Sequence, residues 1–461
     1  MCRAEESSPL LTEQKKVKNY DGKESENRTK REDGAAQSED ARDWRVVAAA
    51  MFALFILNGA EYGFGCLMEP LMLTTGLARS SVSLMGSTQV ALSAFTAPLA
   101  SAMISRLGMR RVSIMGSLLA SLGLFSASFS STSLFSLISS LSVMTGTGFG
   151  LMYMAGMVAV AEANTGHWRP LALGLCLCGP AVGNVLLAPL MAVVTASLGW
   201  RSCLQGVAGL CLVSVATAWV YRKNNRQQTD SEGVDEDDIT NTHHRPWLAW
   251  ITGEKLSQHR HVYVFLLLIV ADFFSVMALF LPYGYIQPIA ELRQLSPSQV
   301  SMLVSAIGVG SIAGRLTSSV LAMRPQVRPL NMIRAAISLA IPLPLLLTVV
   351  DEFWMFCLVC LVFGFLTGIW IAGTSPFLAS LLGMTNISAA LGLLTFAQGA
   401  ACLVSPPLAG LVVESSGDAL AALYMCGAFL LTSATVYTGA VITHERRNAK
   451  LIIYDRFYTE I

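Results

Sequence analysis

The chain has 461 residues, of which 53% are hydrophobic and only 13% charged, with a net charge of +1 and a mean hydropathy of +0.55. Soluble domains carry about 25% charged residues, so this is the composition of a membrane protein. Near-neutral charge without a basic helix gives no footprint for nucleic acid, and no partner of that kind is expected.

Charge is concentrated in three places. The first is the N-terminal tail, residues 1–44, which is rich in Lys, Glu, Asp and Ser and is expected to be disordered. Its opening, MCRAEESSPLL, has no apolar core and is not a cleaved signal peptide. The second is a polar segment at 222–261, and the third is a short tail at 444–461.

Between these lie apolar stretches. A bilayer core about 30 Å thick needs about 20 apolar residues in a helix. Spans of that length read at 46–68, 82–104, 112–132, 134–160, 171–197 and 200–221, then at 262–289, 298–323, 330–350, 353–379, 387–413 and 420–443. The expected fold is therefore an all-α membrane protein. Twelve transmembrane helices form two six-helix halves, 45–221 and 262–443, joined by the polar linker.

Basic residues fall on alternate loops. Arg106, Arg110, Arg111, Arg169, the linker, Arg324, Arg328 and the C-terminal tail share one side, against Arg79, Arg201 and Arg293 on the other. The positive-inside rule puts both termini and the linker in the cytosol. The sequons at Asn27 and Asn386 then face away from glycosylation.

Nine cysteines lie in or beside apolar spans, which suits packing rather than disulfides. CLVC at Cys357–Cys360 has metal-like spacing but no second pair, and the linker histidines His243, His244, His259 and His261 sit in a solvated segment. No metal site and no cofactor is expected. No G-x-S-x-G elbow, H-E-x-x-H or phosphate loop occurs, so the chain is not read as an enzyme.

The charges inside spans carry the functional signal. Arg315, in GSIAGRLTSSV, stands near the middle of the eighth span. Arginine at a helix centre costs about 2.5–3.5 kcal/mol on insertion scales and needs a reason. Its planar fork matches a carboxylate bidentately, as lysine does not. Asp272 in the seventh span and Glu61 in the first are the acids able to take a proton, with a permanent ion pair to Arg315 or a polar interhelix contact as their structural alternative. Tyr62, Asn184, Tyr283 and Trp370 complete the substrate-binding set read from the residues, with aromatic packing as the competing reading for the rings.

Several stretches together resemble the monocarboxylate transporters of the major facilitator group. They are SRLGMRRVSIMG at 105–116, HWRPLALGLCLCGPAVGN at 167–184, FLPYGYIQPIA at 280–290, GRLTSSVLAMR at 314–324 and QGAACLVSPPLAGLVVESSG at 398–417. The resemblance implies a secondary transporter that moves a small organic anion, most simply a monocarboxylate, by alternating access with proton linkage. It also implies Arg315 as the substrate arginine and a single-span accessory glycoprotein as partner. The sequence departs from the proton-coupled members at two places: Cys66 stands where they carry a first-span lysine, which makes it a substrate-binding residue by position in the resemblance, and Ser311 where they carry an aspartate before the arginine. Those departures leave open a facilitative carrier of aromatic amino acids, related hormones or creatine-like zwitterions. A non-transporting receptor or partner subunit on a carrier fold is the reading from another class.

The expected location is the plasma membrane. ESSPLL at 6–11 and YDRF at 454–457 resemble endosomal or lysosomal sorting signals, and the terminal TEI resembles a PDZ ligand.

Overall fold

The computed structural model describes residues 42–130, 133–221, 262–324, 326–383 and 387–459. The N-terminal sorting motif, Asn27, the linker with its four histidines, Asn386 and the end of the TEI motif all lie outside them. Among the described residues every regular element is helical. Among these residues eleven helices are long and apolar enough to cross a membrane, and a bent pair taken as one span makes twelve.

In chain order the spans are α1 (Trp44–Thr75), α2 (Arg79–Phe95 continuing as Ala97–Leu107), α3 (Met109–Phe129), α4 (Leu134–Ala163), α5 (Arg169–Leu198) and α6 (Trp200–Val220). The second half holds α7 (Val262–Leu292), α8 (Pro297–Ala322), α9 (Pro329–Val349), α10 (Phe353–Leu382), α11 (Ile387–Ser416) and α12 (Ala421–Thr459). Two differences from the sequence reading have local causes. The second span bends by 42° at Thr96, just ahead of Pro98, whose ring cannot complete the helical ladder. The last helix continues past the membrane-length stretch to Thr459, taking in most of the segment read as a tail.

Without water between them, membrane helices pack by close backbone approach, and the glycines do this here. A Cβ on Gly310 or Gly314 of α8 would strike the carbonyl oxygen of Leu361 or Phe365 on α10. Gly364 and Gly368 return the contact against the Ile307 and Ser311 carbonyls. The same device joins α1 to α5, where Gly179 and Gly183 meet the Met51 and Phe55 carbonyls. Gly59 and Gly63 therefore face α5, and α1 runs as one helix through Glu61.

The two halves meet along α5 with α8 and along α2 with α11. Both seams are tight toward the end of the bundle that carries the termini. Ser101 and Ser388 hydroxyls are 2.9 Å apart, Gly392 rests on Ala97 and Pro98, and a Cβ on Gly174 would strike Ser319.

Candidate functional site

A cavity of about 190 Å³ lies between the halves at mid-depth. Arg315 of α8 reaches it with 7% of its surface exposed. The α8–α10 glycine contacts hold that helix against α10 and so fix where the guanidinium emerges. Its Nη1 donates to the backbone carbonyl of Leu177, one turn before Pro180 on α5, and its Nε has no hydrogen-bond partner. No carboxylate pairs with it among the described residues. A buried cation with a single carbonyl acceptor is under-compensated, and an anion in the cavity would supply what the protein does not.

Asp272 of α7 lines the same cavity and is 1% exposed. The sequence alternative of a permanent pair with Arg315 does not form. Instead Trp370 Nε1 on α10 donates to Oδ1 at 3.0 Å, and Gln398 Nε2 on α11 donates to Oδ2 at 2.7 Å. Both carboxylate oxygens are thus met by neutral donors. Neighbouring side chains set the register of α7. Ser433 of α12 donates to the Ala271 carbonyl, and Ser405 of α11 donates to that of Met277. Trp370 is also 3.2 Å from the Tyr437 hydroxyl, so the network reaches α12.

A second cavity, a vestibule of about 430 Å³ toward the end of the bundle away from the termini, shares Asn58, Tyr62, Val90, Phe280 and Cys402 with the first. Tyr62 lines both volumes, and its ring lies 5.8 Å from that of Tyr283, across the seam between α1 and α7. Glu61 lines the vestibule and accepts a 2.9 Å hydrogen bond from Ser93 of α2. The structure thus gathers Arg315, Asp272, Trp370 and Tyr62 around one volume and Glu61 and Tyr283 around the next.

Cys66 and Asn184 are not among the residues lining either volume. The Cys66 thiol turns to the Ala188 carbonyl on α5 at 3.9 Å, and Asn184 lies one turn beyond Pro180, the last α5 residue at the cavity. Gln398, Asn58, Ser93, Tyr153 and Thr395 line the cavity without having been singled out. Gln398 had a signal, a long amide in an otherwise apolar helix that heads the eleventh-span stretch.

The sequence profile described as Major Facilitator Superfamily matches residues 50–369. The chain belongs to the Major Facilitator Superfamily, and it is a non-enzymatic secondary transporter of that fold. It is 28% identical over 362 residues to mouse monocarboxylate transporter 12, covering 75% of this chain and 74% of that protein. With rat monocarboxylate transporter 13 the identity is 27% over 401 residues, covering 85% and 87%. In fold it is similar to the human organic anion transporter MFSD10, at a TM-score of 0.68 and 16% identity, over 85% of this chain and 99% of that one.

Proposed function

We propose that the chain carries a small monocarboxylate across the plasma membrane by alternating access, with both termini cytosolic and with proton linkage through Asp272. The observation that carries this reading is Arg315: buried, with one Nη held by a backbone carbonyl, an unpartnered Nε and no carboxylate beside it among the described residues. A guanidinium in that setting offers a charge-assisted, fork-shaped site to a carboxylate in the cavity. The names of the sequence relatives support the same substrate class.

The packing supports the reading of alternating access. Tight seams at the termini-bearing end and a vestibule at the other are what a state facing the far side requires. Rocking the halves about the site would part Ser101 from Ser388 and narrow the vestibule, where the Tyr62 and Tyr283 rings already meet. Asp272 lines the same cavity as the arginine without being paired to it, which makes it the acid to take the proton.

Purified full-length protein in liposomes, offered radiolabelled L-lactate, pyruvate and phenylalanine with and without an acid gradient, tests the proposal. Saturable uptake of a monocarboxylate, raised by acid on the entry side and lost in Arg315→Ala, is expected. Uptake confined to phenylalanine and indifferent to the gradient would replace it with a facilitative amino-acid carrier. No uptake of any of the three would overturn it.

A further inference from the structure

Proton linkage needs more than an acid and a cation in one cavity. Something must make the proton favour the anion, and in this chain that link is not a direct ion pair. The hydrogen bonds around Asp272 supply one, on an inference that rests on the proposed function.

Asp272 accepts from two donors of different kinds. The indole Nε1 of Trp370 can only donate, so Oδ1 must remain an acceptor whatever the charge of the carboxyl group. A proton arriving at Asp272 therefore belongs on Oδ2. There it meets Gln398 Nε2 at 2.7 Å, a donor facing a donor. Unlike an indole, a side-chain amide carries both a donor and an acceptor end. A half-turn of the amide presents Oε1 to the new O–H and restores the hydrogen bond.

That half-turn has a consequence on the other side of Gln398. The residue lines the cavity shared with Arg315, and its Oε1 has no protein donor among the described residues. With Asp272 ionised, the amide shows the cavity an acceptor. With Asp272 protonated, it shows the N–H₂ group. An acceptor repels a carboxylate, whereas a donor binds it. We propose that Gln398 is the positioning residue that couples a proton on Asp272 to an anion at Arg315, by turning its amide over. Proton and anion then favour each other's binding, as linkage requires.

The surroundings are compatible with Asp272 acting alone as the switch. The titratable groups facing the joined cavities from neighbouring helices are Arg315 on α8, Tyr62 and Glu61 on α1, Tyr153 on α4 and Cys402 on α11, with Tyr437 of α12 behind Trp370. Among the described residues none of them hydrogen-bonds to or pairs with Asp272. Gln398 also sits on α11, the helix whose neighbour Gly399 packs on Ala94 of α2 across the seam, so a change at the amide lies beside a surface that must move.

Infrared difference spectroscopy on the full chain in liposomes, taken between high and low pH, reads this directly and needs no substrate. Asp272→Asn assigns the carbonyl band of the protonated acid, and Gln398→Met assigns the side-chain amide band. In the parent protein both bands are expected to respond together, with one midpoint. In Asp272→Asn the amide band is expected to lose its response to pH, and this holds as a test even if Gln398→Met fails to fold. An amide band that ignores pH in the parent, or that still titrates in Asp272→Asn, would overturn the inference. A silent amide in a protein that takes up anions through Arg315 sinks the switch alone. A responding amide in a protein that takes up none of the tested solutes sinks the carrier reading alone.

Discussion

The guanidinium of Arg315 donates to the backbone carbonyl of Leu177 and has no acidic side chain beside it among the described residues. That contact joins α8 of one half to α5 of the other, so the charge proposed to hold substrate also ties the halves together. Substrate at the arginine would compete for or reorganise this bond, which gives ligand binding a route to the seam.

The first prediction concerns the helix that carries the arginine. Gly314→Val places methyl groups where the Phe365 carbonyl stands, and α8 must move away from α10. Overpacking of this kind costs about 1–3 kcal/mol. The thermal midpoint in detergent is expected to fall, and transport to fall with it. An unchanged midpoint would mean the glycine contact contributes nothing.

The second concerns the network at Asp272. Trp370→Phe keeps the ring and removes the N–H that meets Oδ1. Losing a hydrogen bond to a charged acceptor costs about 1.5–3 kcal/mol. In an Asp272→Asn background the same change is expected to cost less, because the charge it served is gone. A double-mutant cycle on stability measures the difference, and strict additivity would show that the contact is not coupled.

How much of this was legible beforehand depends on the kind of residue. Twelve spans and two halves follow from hydropathy, since a bilayer demands long apolar helices and leaves little else to choose. Arg315 and Asp272 stood out because a charge among leucines is costly and therefore visible. Gln398 did not, because an uncharged amide in a membrane helix also serves ordinary packing, as Ser405 does on the same helix. Cys66 was drawn from a positional resemblance, and helix phase decides against the cavity. It follows Tyr62 by one turn, but about 40° of rotation turns its thiol toward α5. The bend at Thr96 had a visible cause in Pro98, yet a proline alone does not say how far a helix will turn.

A third prediction tests the movement. Ser101 and Ser388 hydroxyls lie 2.9 Å apart across the α2–α11 seam. Replacing both with cysteine and oxidising them is expected to hold the termini-bearing end shut. Net uptake should be lost and should return on adding a reductant. Full transport by the cross-linked protein would contradict a rocking motion at this seam.

The central claim is that Arg315 binds the substrate carboxylate through its fork, and Arg315→Lys tests it most directly. Lysine keeps the positive charge but offers one ammonium where the guanidinium offers two parallel N–H groups. Competition of unlabelled monocarboxylates against labelled lactate, in liposomes holding equal amounts of each protein, gives the affinities. The account predicts a loss of about ten- to a hundredfold in Arg315→Lys, corresponding to about 1.5–3 kcal/mol for a charge-assisted hydrogen bond. A lysine variant that folds normally and binds with the parent affinity would contradict it.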